Sequence, residues 1–228
     1  MLAKPKLLAL LTAGFLAAAS SPLESARDKQ DRASLEKIMN EFAARAAKTP
    51  SDAAAQYQLA LACSYLAEVE IEQHDKKAAR PVAERGIQAA EKAVALKPDN
   101  AEYYRVLATL YGQAITDLMS GLRYGPKAKE AVNKAVQKAP NSASVYVARG
   151  VGNLYLPAQL GGGSSAATPD FQKAIQFDPK SAEAYLWLGI SLREAGKPAE
   201  ARQALTKSLA LNPNRVWTKQ QLDKTPSR

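Results

Sequence analysis

The residues most able to do chemistry in this chain are few and far apart. His74 is the only histidine and Cys63 the only cysteine. A Ser–His–Asp relay would have to use His74, but Gln73, Asp75, Lys76 and Lys77 surround it, which reads as a polar surface turn. A lone cysteine makes no internal disulfide. Cys63 sits at an apolar position and reads as a small buried hydrophobe, with an intermolecular disulfide or a reactive thiol as the alternatives. Glu68, Glu70 and Glu72 could pair as acid and base, although their setting reads as the solvated face of a long helix. Gly161-Gly162-Gly163-Ser164-Ser165 suggests a phosphate cradle, yet no lysine follows and no strand precedes it. Gly150-Val151-Gly152 lacks the third glycine of a dinucleotide fingerprint, because Tyr155 stands there. Nothing converges. The expectation is a non-enzyme with no cofactor and no metal site.

The elements that must carry these residues are set out by Pro50, Pro98, Pro140, Pro179 and Pro213. Each ends one helical pattern and precedes another, since proline cannot donate to the helix it would join. Asp52 or Ser51, Asn100, Asn141 or Ser142, and Ser181 follow as good N-caps. Between the prolines the same pattern recurs. Tyr185, Leu188-Gly189, Leu192, Ala201, Leu205 and Ser208 correspond to Tyr146, Gly150, Ala167, Phe171 and Ala174 in the preceding unit. Tyr104, Leu107-Ala108, Tyr111, Ala128, Val132 and Ala135 form the unit before that, and Gln56, Leu59-Ala60, Cys63, Gly86, Ala90 and Ala93 the first. Small residues let two helices approach, and bulky ones fill the gaps opposite.

The proline spacing shortens from 48 to 34 residues along the chain, so the early units carry insertions between their two helices. In unit one, 53 to about 73 reads as a single long helix, with Pro81 starting the next. In unit two the first helix is expected to run past Tyr111 through Ile115 and Leu118 toward Gly121 or Gly125. In unit three, Leu156 to Ala166 (LPAQLGGGSSA) is expected to leave the helix, with Thr168-Pro169 as a cap and first turn.

This pattern of bulky, apolar, small and turn positions, at a period settling to about 34, resembles the tetratricopeptide-repeat family, of an exported bacterial type. The resemblance implies an all-α, right-handed superhelical solenoid of helix-turn-helix repeats with capping helices at both ends. The repeats fall at about 53–98, 101–140, 143–179 and 182–213. Leu35, Ile38, Met39, Phe42 and Ala43 make an apolar stripe on a capping helix over 31–48, and Val216, Trp217 and Leu222 cover the last unit over 215–223. Residues 20–30 read as a mobile linker and 224–228 as a frayed tail.

In such solenoids the first helix of each repeat lines a concave groove that binds a peptide or protein segment. Carried over, the groove positions are Tyr57, Leu61, Ser64 and Tyr65; Arg105, Thr109 and Gln113; Val147, Val151 and Tyr155; and Leu186, Ile190 and Arg193. The alternative is that one of the protein's own terminal helices fills the groove. A further reading is a structural or assembly component of an envelope or secretion complex, docking through its convex face or its inserts.

At the amino end, Lys4 and Lys6 precede the apolar run Leu7 to Ala19 and its small residues Ala17-Ala18-Ala19. That order reads as a secretory signal over 1–19, cleaved near Ala19, and places the protein in the periplasm or outside the cell. An uncleaved membrane anchor is the alternative. The whole chain carries a net charge of +9; without Lys4 and Lys6 it is +7. Acidic proteins, anionic lipid headgroups or cell-wall polymers suit such a field, and no nucleic-acid role is expected.

Overall fold

A computed structural model describes residues 20–227. The expected signal over 1–19 lies outside them. Among the described residues there are eleven α-helices and no strand. They are α1 (Pro22–Asp28), α2 (Arg32–Lys48), α3 (Ala53–Glu72), α4 (Lys76–Leu96), α5 (Ala101–Gln113), α6 (Leu118–Lys138), α7 (Ala143–Tyr155), α8 (Ser164–Phe177), α9 (Ala182–Glu194), α10 (Pro198–Leu211) and α11 (Val216–Asp223). Hairpins α3–α4, α5–α6, α7–α8 and α9–α10 stack in sequence. Each contacts the next through its second helix, and α3, α5, α7 and α9 also touch one another in turn. The result is a helical-repeat solenoid.

Capping follows the residue types. Asp52, Asn100 and Ser181 accept from the backbone N–H groups of Ala54, Glu102 and Ala184, satisfying donors that a helix start leaves unpaired. Leu35 and Met39 of α2 are buried, and Ile38, Phe42 and Ala43 pack beside them. At the far end Trp217 and Leu222 cover a core of Leu154, Phe171, Leu186 and Leu205.

Glycines at the repeat seams are fixed by space. A Cβ on Gly150 would lie 2.5 Å from the Phe171 ring, and one on Gly86 would lie 2.7 Å from Cys63 Cβ. Cys63 and Phe171 are themselves fully buried, so neither neighbour has room to give. Gly152, in the same helix as Gly150, has nothing within 4 Å of that position. Gly150→Ala is therefore expected to cost about 1–2 kcal/mol, overpacking outweighing the helix propensity gained. Gly152→Ala should stabilise by up to about 1 kcal/mol, and urea titration of the two variants checks both signs.

Several boundaries differ from expectation. The linker expected over 20–30 is in fact helix α1, closed by a reciprocal Ser21–Glu24 capping box and burying Leu23, Ala26 and Asp28. The first helix of unit two stops at Gln113, and its extra residues lengthen the second helix instead. Asp117 causes this. Its carboxylate accepts from Ser120 N (2.7 Å), while Ser120 Oγ accepts from Asp117 N and Thr116 N (both 3.0 Å). Pro81 and Pro169 do not start their helices; Asp75 and Gly163 cap them upstream, and both prolines, with Pro126, lie inside. All three are exposed, so water can satisfy the carbonyl each one frees. The glycine insert holds a short 3-10 turn over Ala158–Leu160, and its last residues already belong to α8. The tail is anchored as far as Thr225, which is buried and whose carbonyl accepts from Arg202 at 2.7 Å.

Candidate binding groove

The expected groove residues separate into three groups. Ser64, Val147, Leu186 and Ile190 are buried. Leu186 and Ile190 pack with Leu154, Phe171 and Leu205, and Val147 with Tyr146 and Ala184. They are core, and the reason is the spacing of the units: the first helices stand close enough to cover these positions themselves. Leu61 and Val151 are half-buried against the same cores.

A second group forms a polar seam between α3 and α5. Tyr57 Oη donates to Glu102 Oε1 at 3.0 Å, and Arg105 Nε donates to Glu102 Oε2 at 2.7 Å. Tyr57 also stacks on Tyr103, centroids 4.9 Å apart. Burial first, then the Glu102 charge, raises the Tyr57 phenol above its ordinary range, so it remains a neutral donor. Gln113 Nε2 donates to the Ser64 carbonyl at 3.0 Å, and Thr109 Oγ1 to the Arg105 carbonyl at 3.1 Å. The third group pairs one open residue with one half-buried one. Tyr155 is 64% exposed and meets Trp187 edge-on at 6.2 Å, while Arg193 donates to Gln221 Oε1 at 2.8 Å.

The feature that sequence reading missed joins the two ends of the array. Glu68 and Glu72, four residues apart on one face of α3, both meet Arg215 at the start of α11. Arg215 Nη2 lies 2.7 Å from Glu68 Oε1 and also binds Glu72 Oε1; Nη1 donates to Glu72 Oε2 at 3.1 Å. Arg215 is 1% exposed. The end of α1 is wedged into the same place. Asp28 accepts from Asn212 Nδ2 at 2.7 Å, and Gln30 Nε2 donates to Glu72 at 2.8 Å and to Gln220 at 3.3 Å. Arg27 lies over the Tyr65 ring at 4.7 Å and reaches Glu183 of α9 at 3.9 Å. First and last repeats are thus bridged by two arginines set among carboxylates. Glu68 and Glu72 are not a solvated face. Glu70, on the opposite side of α3, is also buried and pairs with Arg32 Nε at 2.8 Å. The i, i+4 spacing of Glu68 and Glu72 was the available signal, but their partner lies 143 residues on.

Chemically, this arrangement holds charge in place. Arginine does not act as a proton donor at ordinary pH. Burial pushes the Cys63 thiol up to about 12, so it is a neutral packing group. His74 is exposed in the α3–α4 turn at φ 66°. Among the described residues no cluster of His, Cys, Asp and Glu is arranged to hold a metal ion. A cavity of about 240 Å³ lined by Glu84, Tyr111, Tyr124 and Lys127 falls below the usual range for small-molecule sites.

Stacked hairpins with small residues at the seams define a tetratricopeptide-repeat protein, and residues 170–203 match that repeat family. Residues 21–152, more than half of the chain, match the family Regulator of microtubule dynamics protein 1-3, and the chain belongs to that family. The matched range takes in α1 to α6 and most of α7. No curated protein matches the chain. Among solved structures, a thermophilic tetratricopeptide-repeat protein of Thermus thermophilus is similar at 18% identity, covering 90% of this chain and 96% of that one with a TM-score of 0.64. MamA of Desulfovibrio magneticus RS-1 (17% identity, 87% and 99% covered, TM-score 0.47) and YrrB, described as having an unusual peptide-binding site (16%, 89% and 98%, 0.46), are more distant. Repeats of this class are protein-interaction scaffolds, and no enzyme family is indicated.

Proposed function

We propose that this protein is an exported, non-enzymatic adaptor that binds a peptide or protein segment on the concave wall formed by α3, α5, α7 and α9. The observation that supports the reading is the line of aromatic and cationic groups on those helices that the core does not fully cover: half-buried Tyr57, Tyr65, Arg105 and Trp187, and exposed Tyr155. Tyrosine and tryptophan are the residues that dominate binding surfaces, because they give large contact area at low entropic cost. Export rests on the basic and apolar order of residues 1–19. Among the described residues no helix is long and apolar enough to cross a membrane. Mass spectrometry of the chain from an envelope fraction tests cleavage near Ala19.

Cross-linking in intact cells, followed by mass spectrometry, would identify the partner. Tyr155→Ala is expected to weaken capture about thirtyfold, as for a central aromatic contact, and Tyr65→Ala to act in the same direction. Unchanged capture by both variants would move the binding site away from the groove.

One observation favours a second reading, assembly into a larger complex through the edge where the hairpin turns lie. Leu118, Met119, Leu122 and Leu160 are each at least 66% exposed there. Replacing Leu118, Met119 and Leu122 by serine would then abolish capture while leaving helicity intact.

A further inference from the structure

Helix α1 is only seven residues long, too short to be helical on its own in water. It exists because of what it lies on. Its apolar contribution is confined to Leu23 and Ala26; the rest of its hold is charge and hydrogen bonding. Arg27 meets the Tyr65 ring and Glu183, Asp28 meets Asn212 and Arg215, and the Arg27 carbonyl accepts from Arg215 at 3.5 Å. Those receiving groups sit on the first helices of repeats one and four and on the approach to α11. Tyr65 is itself an expected groove residue. The wall is acidic where α1 crosses it, with Glu68, Glu72 and Glu183 close together. The chain's two ends supply the compensating cations, Arg27 and Arg215.

We propose that α1 is an exchangeable occupant of the groove, and that the partner is a short amphipathic helix bearing an arginine where α1 presents Arg27. The inference rests on the groove reading above and specifies its partner's chemistry. Charge complementarity selects that partner: an arginine facing Tyr65 and Glu183 regains the cation–π contact and the ion pair that α1 gives up. An acidic segment would face Glu183 with no cation between them, although the overall positive charge of the chain favours acidic partners at long range. Being tethered, α1 competes at a millimolar effective concentration. Binding in trans therefore needs either a tighter helix or a loosened α1.

A fluorescent peptide spanning residues 20–31 is the probe, titrated into the full chain. Arg27→Glu in the protein is expected to release α1 and tighten peptide binding about tenfold or more over wild type. Glu183→Lys should reverse the preference, so that the peptide carrying Arg27→Glu binds better than the unaltered one. Arg27→Gln repeats the measurement should Arg27→Glu fail to fold, as judged by circular dichroism. Equal peptide affinity for wild-type and variant protein, or a preference that Glu183→Lys does not invert, would overturn the proposal. So would unfolding by both Arg27 substitutions, because an occupant whose release unfolds the array cannot be exchanged. Partner capture that still depends on Tyr155 while the charge preference fails to invert sinks this inference alone. Inversion without dependence on Tyr155 or Tyr65 sinks the broader groove reading instead.

Discussion

Arg215→Ala should destabilise the fold by about 3–5 kcal/mol at pH 7.5, the usual cost of removing one partner from a buried ion pair. The reason is what it leaves behind. Glu68, Glu72 and Asp28 all lie within 4 Å of the guanidinium, and none is free to turn to water while α1 and α11 cover them. The mutant can relieve this by protonating one carboxyl or by letting the ends part. Parting would expose Leu23, Ala26 and the half-buried Trp217. Chemical denaturation should show a lower midpoint, and small-angle scattering a larger radius of gyration, if the ends separate before the repeats melt. At pH 5 the carboxyls accept protons more readily, so about half of the loss should be recovered there. Arg215→Met with Glu68→Gln and Glu72→Gln should restore much of the stability at neutral pH, since Asp28 keeps Arg27 as its partner and no glutamate charge is left stranded. A variant as stable as wild type would mean that Arg215 is incidental to closure.

How much of this was legible in the sequence follows from the range of the interactions. Repeat boundaries, caps and seam glycines are local. Pro98 and Asn100 act within one short connection, and Gly150 and Phe171 within one hairpin, so the residue types alone specify them. Proline suits a first turn, which points to helix starts at Pro81 and Pro169, but Asp75 and Gly163 begin the helices upstream and the exposed prolines ride on the outer face. The closure of the array could not be read at all. Arg215 looks like one more surface cation until the curvature of four stacked hairpins brings it to Glu68 and Glu72, and that curvature sums small packing angles over the whole chain. The same summation decides the groove. Val147 and Leu186, at the same position of their repeats, are both buried between neighbouring first helices, whereas Tyr155, at the last position of α7 beside the glycine insert, is 64% exposed.

Thermal stability should rise as the pH falls from about 7.5 toward 5, the reverse of the usual carboxylate behaviour. Burial, with the adjacent Glu68 charge, pushes the Glu72 carboxyl up to about 7 against the pull of Arg215; burial moves Glu68 in the same direction. In the unfolded chain a glutamate titrates near about 4.3. Between these values the folded protein holds a proton that the unfolded chain has released, so lowering the pH favours folding. The contribution is complete below about pH 4 and is lost as the pH rises through 7. Its size at one group is at most about 4 kcal/mol, because each pH unit between the folded and unfolded values is worth about 1.4 kcal/mol. Asp31, Asp117 and Glu130 are held below their ordinary range by hydrogen bonds from Ser34, Ser120 and Lys134. Their effect has the opposite sign and falls below about pH 4.5, outside the window. Tm measured from pH 5 to 8 on wild type and Glu72→Gln separates the contributions, since the amide keeps the shape and cannot ionise. The variant should lose most of the slope and be the more stable of the two at pH 8. A wild-type Tm that climbs with pH across this window would mean that Arg215 and Arg27 together hold both glutamates fully ionised, and that the closure is an ion pair at every pH above 5.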